Sequence, residues 1–280
     1  MKNNKTCSYV NFSWNGTKLE LYASQALFIP LTRELLISDI HIGKAEYFQL
    51  NGIPLTNNQD ENNINRIYKL INQFKPRKLV ILGDLFHSRF SLNKNLIYKV
   101  ERLFKIFENK IELIEGNHDK GCQISNISYL KEKKSLNLLF THEPITKKDN
   151  NTLNICGHYH PKLILRNNQD QLSFKCFAFD SFNNNLYLPS FGDLTGGFLC
   201  KKHFKKWALI SENNINRIYK LINQFKPRKL VILGDLFHSK YSLNKNLIYK
   251  LERLFKIFEN KIELIAVSYT HLTLPTRLSV

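Results

Sequence analysis

The stretch ILGDLFHS, residues 81–88, is an apolar run that ends in Gly-Asp with a His three places on. A run of this length bounded by glycine reads as a buried strand delivering a carboxylate to its tip. The same pattern recurs along the chain. ELLISDI (34–40), KIELIEG (110–116), LNLLFTH (136–142) and TLNICGH (152–158) are each an apolar run that meets a polar loop. Between the first of them, Ile64, Ile67, Leu70, Ile71 and Phe74 share one helical face, as do Leu96, Val100, Leu103, Phe104 and Phe107. Strands interleaved with amphipathic helices predict an α/β domain, in which ligands gather at the carboxyl ends of the strands. SFKCFAF (173–179), NLYLPSF (185–191) and KKWALI (205–210) lack long helices between them and predict a second, more antiparallel sheet packed on the first.

ILGDLFHS returns letter for letter at 232–239, inside a copy of residues 61–114 at 212–265 that keeps 51 of 54 positions. The copy supplies Asp235 and His238 but no Asp-x-His before them, and AVSYTH stands where Asn117 and His118 would recur. One carboxylate leaves the coordination of two cations unsatisfied, so one active site is expected. The copied window opens inside a helix and stops at a strand end, a poor cut for a structural module. VSYTHLTLPT (267–276) resembles the in-frame translation of a transposon-end adapter used in sequencing libraries. The expected organisation is therefore a domain over 1–211, a partial duplicate over 212–265, and an adapter-like disordered tail over 266–280, with residues 212–280 an assembly chimera or, as the competing reading, a genuine C-terminal appendage.

At 280 residues and 43% hydrophobic content the chain can bury a substantial core. No window approaches the ~20 apolar residues of a membrane span, and the N-terminus has no secretion signal, so a cytoplasmic protein without a membrane partner is expected. The five cysteines have no C-x-x-C spacing, which predicts reduced thiols. The net charge of +18 is divided: residues 1–211 hold 29 basic and 18 acidic residues, whereas 212–265 hold 11 and 5. A selected basic surface for nucleic acid and a bias toward AT-rich codons both account for it.

The strand ends carry the chemistry. Asp39 and His41 follow the first run, Asp84 the second, Asn117, His118 and Asp119 the third, His142 the fourth, and His158 and His160 the fifth. A single His at a strand end is more often a hydrogen-bonded core residue than a ligand, but five such ends in succession, with Gly83, Gly116 and Gly157 beside them, point to metal. Mixed oxygen and imidazole donors suit Mn, Fe or Zn better than Mg or Ca. The Asp-x-His and His-x-His spacings put two donors on the same side of an extended segment.

The order DIH, GDLFH, GNHD, a lone His, then GHYH resembles the calcineurin-like metallophosphoesterase superfamily. SDIHIGKAEYFQLNGIPL (38–55), THEPI (141–145), GHYHP (157–161) and LPSFGDLTGG (188–197) further resemble the bacterial ligase-associated DNA damage response endonuclease group. GDLFH also occurs in recombination-repair nucleases of this superfamily. The resemblance implies an α/β fold of two packed mixed β-sheets flanked by helices, and two divalent metal ions, Mn with Fe or Zn as alternatives. It implies that Asp39, His41 and His160 hold one ion, that Asn117, His142 and His158 hold the other, and that Asp84 bridges them. Two ions ~3.5–4 Å apart turn a shared water into hydroxide for in-line attack on phosphate. His118 then protonates or stabilises the departing oxygen, and Asp119 orients its ring.

The implied function is hydrolysis of DNA phosphodiester bonds in repair, with DNA as partner and association with a DNA ligase or helicase. Two alternatives stay open: a phosphatase or phosphodiesterase for nucleotides or other small esters, and a non-catalytic scaffold. His203 is the substitute for His142 as a ligand. His87 reads as a solvated turn histidine or a substrate contact, and Lys44 as a loop lysine or a phosphate contact. KKHFKK (201–206) reads as a solvated charge run or a DNA-backbone contact, with Trp207 packed beside it.

Overall fold

The computed structural model describes residues 9–55, 58–107, 110–125, 127–146, 149–166, 171–200, 203–207, 230–233 and 262–265. The chain divides into two compact units, Met1–Leu163 with Ser173–Ser211, and Ile164–Leu172 with Glu212–Val280.

In the first unit, four strands run as an antiparallel meander: β1 (Tyr9–Trp14), β2 (Thr17–Tyr22), β3 (Ala26–Ile29) and β4 (Glu34–Ile37). Two helices follow, α1 (Lys44–Leu50) and α2 (Asn58–Phe74), and then β5 (Lys78–Leu82) lies parallel to β4. Helix α3 (Lys94–Ile106) returns the chain to β6 (Ile111–Ile114) and β7 (Ser128–Leu130), both parallel additions. These seven strands form one mixed sheet in chain order. Fully buried parallel strands need apolar residues on both faces. The four residues of β4 and the last four of β5 are all buried accordingly.

The second sheet has the order β16-β13-β14-β10-β9-β8. Its members are β8 (Lys133–Ser135), β9 (Leu138–Phe140), β10 (Leu153–Cys156), β13 (Phe177–Asp180), β14 (Asn185–Tyr187) and β16 (Lys205–Trp207). Between β10 and β13 run β11 (Pro161–Arg166) and β12 (Gln171–Lys175), and β15 (Phe198–Leu199) pairs parallel with Pro161 and Lys162 of β11. The antiparallel character expected of this sheet is confined to its edges, because β9, β10 and β14 are parallel neighbours. LNLLFTH and TLNICGH belong here rather than to the helix-flanked sheet.

Two cores result. Ile67, Leu70, Ile71, Val100, Leu103 and Phe104 bury the helices against one face of the first sheet, as their spacing predicts. Leu19, Leu36, Val80, Phe140, Ile155 and Leu186 fill the space between the two sheets. Lys133 also joins the sheets, its ammonium lying 2.7 Å from Glu34 of β4 and in contact with Glu112 of β6. Trp207 packs edge-on against Phe12, with ring centroids 5.7 Å apart. The architecture is the expected sandwich of two mixed sheets, with its helices on one outer face.

In the second unit, β17 (Leu230–Leu233) pairs parallel with β18 (Ile262–Ile265), and Leu230 faces Ile262. The register repeats that of Leu79 with Ile111 in the first copy, where β5 lies between β4 and β6. Asp235, His238 and the tail over 266–280 lie outside the described residues. Among the described residues no helix is long and apolar enough to cross a membrane.

One acidic contact braces the elements beside the β4 loop. Asp60, buried on the first turn of α2, accepts the Gly43 N–H at 3.1 Å and hydrogen-bonds the Glu46 carboxyl of α1. Burial, then Glu46, raises its pKa from 3.8 to about 7. A raised folded-state pKa means that the folded chain holds this proton more tightly than the unfolded chain. The stabilisation is complete below about pH 3.8 and is lost as pH rises through about 7. Each pH unit between these values removes ~1.4 kcal/mol. Asp60→Asn should remove this slope, measured as the difference in unfolding free energy between the two proteins across that window. A constant difference would show that Asp60 does not titrate there.

Candidate metal centre

The carboxyl ends of β4, β5, β6, β9 and β10 meet at one edge of the sandwich because all five are parallel members of the two facing sheets. The loops leaving β4 and β5 are zipped together by backbone bonds. Asp39 N–H donates to Gly83 O at 3.1 Å, His41 N–H to Asp84 O at 2.9 Å, and His87 N–H to Ile42 O at 2.9 Å. This fixes the Asp-x-His pair against the Gly-Asp turn before any side chain is considered.

Glycine is needed where the strand ends crowd. A Cβ on Gly83, whose φ is +78°, would stand 2.0 Å from His142 Nδ1. Cβ atoms on Gly116 and Gly157 would stand 2.3 Å and 2.5 Å from carboxylate oxygens of Asp84 and Asp39. Gly83→Ala therefore meets both left-handed strain and an overlap with a buried ring, each costing ~1–3 kcal/mol. The expected result is a loss of ~2 kcal/mol or more in chemical denaturation. Wild-type stability of that variant would contradict the packing described.

The donors fall into two sets. His160 Nε2 is 3.1 Å from Asp39 Oδ1 and 3.4 Å from His41 Nε2. On the other side, His142 Nε2 is 3.1 Å from Asn117 Oδ1 and 3.2 Å from His158 Nδ1. Asp84 stands between them, with Oδ2 3.7 Å from His41 Nε2 and 3.6 Å from His142 Nε2. All seven donors expected from the sequence are thus brought together. His203 is elsewhere, 3.9 Å from Asp180 and packed against Phe182 and Phe204.

Three observations show that this set fits a divalent cation. The first is the convergence of lone pairs. Leu82 O, which can only accept, takes the hydrogen of His142 Nδ1 at 3.0 Å, so His142 Nε2 presents a lone pair toward Asn117 Oδ1 and the Asp84 carboxylate. Anchoring the far nitrogen on a carbonyl is how metal-binding imidazoles are oriented. The second is neutrality: burial, then the nearby Lys44, lowers the His41 pKa from 6.5 to about 2, leaving the uncharged ring that coordination requires. The third is backbone strain. Asp39, His41, Asp84, His158 and His160 all have φ between 48° and 67°, a region that L-residues seldom occupy. Strain shared by five donors is what pre-organisation for a ligand would hold in place.

Asp119 is a correction. Its carboxylate does not orient the His118 ring; Oδ2 accepts the N–H groups of Asp84 at 2.8 Å and Gly116 at 2.9 Å, and Oδ1 accepts that of Phe86 at 3.1 Å. It staples the turn after β5 to the turn after β6. Burial raises its pKa to about 6 against the pull of these donors. The His118 ring is instead held by His87 O, which accepts from Nδ1 at 2.8 Å, so Nε2 is left for other work. The His118 N–H donates to Asp84 Oδ1 at 3.0 Å and fixes the Asp84 carboxylate between the two donor sets.

His87 is the residue that sequence reasoning undervalued. It is a half-buried ring stacked on His118, with centroids 5.2 Å apart at 21°, and edge-on to Tyr47 and His41. Its Nδ1 is buried without a hydrogen-bond partner among the described residues, and burial, then Lys44, lowers its pKa to about 4. Donor atoms of His41, His87 and His118 lie within 4.8 Å of one another. The signal available in the sequence was the GDLFH motif itself, which places His87 on the turn that carries Asp84. Lys44 is likewise half-buried, and burial lowers its pKa while Asp84 opposes that shift.

Similarity to known proteins agrees with this geometry. No curated protein sequence matches the chain significantly. The crystal structure of Pseudomonas putida nuclease MPE is similar at 28% identity and a TM-score of 0.59, covering 71% of this chain and 94% of that one. Yfce, a phosphoesterase from E. coli, matches at 18% identity and a TM-score of 0.35, over 59% of this chain and 83% of that one, too distant to bear on the site. Residues 33–201 match the calcineurin-like phosphoesterase family. That span takes in each of the five strand ends, and the chain accordingly belongs to the calcineurin-like phosphoesterase family, as a metal-dependent hydrolase.

Proposed function

We propose that this protein hydrolyses phosphodiester bonds in DNA with two divalent metal ions, Mn foremost, and that the catalytic unit is residues 1–211. The observation that carries the reading is the sharing of Asp84 between two donor sets, Asp39 with His41 and His160, and Asn117 with His142 and His158. When bound, two such ions supply an activated water and a positive clamp for the phosphate oxygens.

The chain's own residues supply the rest. His118, held through Nδ1–H by the His87 carbonyl, faces the site with Nε2; in its doubly protonated form the ring would give the Nε2 proton to the departing oxygen and be left neutral, with Nδ1–H still on the carbonyl. His87, unprotonated at neutral pH and stacked on His118, bounds the site on that side. Lys44, whose pKa burial lowers with a smaller contribution from nearby Lys162, adds with Lys162 positive charge for a phosphate. DNA as the substrate is supported by the GDLFH motif and by similarity to a bacterial nuclease. A role in repair, cytoplasmic and beside a DNA ligase or helicase, rests on the motifs shared with the ligase-associated group.

The test is turnover of the purified full chain with Mn on single- and double-stranded DNA, a bis-ester and a phosphate monoester. Cleavage of DNA and the bis-ester well above the monoester is the expected result. Preference for the monoester would favour the small-ester reading. No turnover of any substrate by metal-loaded protein would favour the scaffold.

A further inference from the structure

Two cysteines that belong to neither donor set share one short piece of backbone. Cys176, between β12 and β13, is 1% exposed, and its N–H donates to Pro161 O at 3.0 Å. The β11–β15 pairing sets Lys162 opposite Leu199, and the next residue, Cys200, accepts the Lys162 N–H at its sulfur. Both cysteines are thus bound to the Pro161–Lys162 segment, and their side chains hydrogen-bond each other.

Their environments differ in the way an attacking and a resolving thiol must differ. Cys200 is only partly buried and follows the exposed Phe198 and Leu199, whereas Cys122, Cys156 and Cys176 are buried. The Cys176 thiol, then Lys206, hold the Cys200 pKa below its ordinary value. The hydrogen bond to Cys200, then burial, push that of Cys176 well up, so it keeps its proton. A thiolate at a partly exposed position is the reactive form of cysteine.

We infer that Cys200 and Cys176 form a redox pair that a small-molecule disulfide converts reversibly to an intramolecular disulfide. The Cys200 thiolate attacks one sulfur of the small disulfide, forming a mixed disulfide and releasing one thiolate. The Cys176 sulfur then attacks Cys200, giving up its proton and displacing the second thiolate. The two cysteines lose two electrons, the small disulfide gains them, and the two thiol protons end on the two released thiols. The new bond closes a loop that includes Phe191 and Gly192, whose N–H groups donate to Ser38 O at 2.8 Å and Asp39 O at 3.0 Å. This inference is independent of the substrate proposed above.

The test is to expose the reduced, native full chain to oxidised glutathione and to count and map its thiols. The expected result is a fall by two from the five cysteines of the chain, a peptide joining Cys176 to Cys200, and reversal by a dithiol. Cys176→Ser should trap one glutathione on Cys200, and Cys156→Ser should leave the cross-link intact. No loss of thiols in the wild type, or a bond from Cys200 to any other cysteine, would overturn the assignment. Should a variant fail to fold, the wild-type peptide map alone decides.

Discussion

Asp84→Ala should abolish hydrolysis and release bound metal from both donor sets. The carboxylate is 2% exposed, and its Oδ2 lies within 3.7 Å of a ring nitrogen from each set. Its other oxygen holds the His118 N–H at 3.0 Å. Alanine removes all three contacts and leaves nothing to neutralise charge between the sets. Loss of an outer-shell partner alone typically lowers metal affinity ~10–100-fold, so loss of the shared donor should exceed that range. Turnover should fall by more than the ~10²–10⁴-fold that loss of one acid–base group costs. Metal content after desalting and turnover under saturating metal measure the two effects. A variant that keeps both metals would remove Asp84 from the centre.

His118→Ala should separate chemistry from metal binding. The bond from residue 118 to Asp84 is made by the backbone N–H, so alanine keeps it and the donors stay in place. What disappears is the imidazole, with Nδ1 tied to His87 O and Nε2 the nitrogen from which the doubly protonated ring would give a proton. Removal of a general acid commonly costs ~10²–10⁴ in rate. The expected variant binds wild-type metal and loses ~10²-fold or more in kcat. A substrate with a very acidic leaving group should be spared, because its departing oxygen needs no proton. An equal loss on every ester would mean that His118 acts through geometry instead.

The site was largely legible from local sequence, because each donor sits within a few residues of an apolar run that ends in a polar loop. The helix faces of α2 and α3 were legible for a related reason, since a spacing of three and four residues maps directly onto one buried stripe. The division of strands between sheets was not legible. β9 has three residues and β10 four, and no local pattern tells a parallel strand in one sheet from its counterpart in the next. The role of Asp119 was hidden likewise, for an acid beside a histidine can accept from that ring or from the backbone N–H groups of a loop 33 to 35 residues away. His87 was hidden by its partners, because its burial depends on Tyr47 arriving from α1 and His118 from the loop after β6. The left-handed conformation of five donors has no sequence signature outside glycine and emerges only once the strand ends are packed.

The most direct test of the whole account is metal stoichiometry. Purified protein, stripped of metal and titrated with Mn under calorimetry, should bind two equivalents, and Asp84→Ala should bind neither tightly. Saturation at a single equivalent, or at none, would contradict a centre built from two donor sets around one carboxylate.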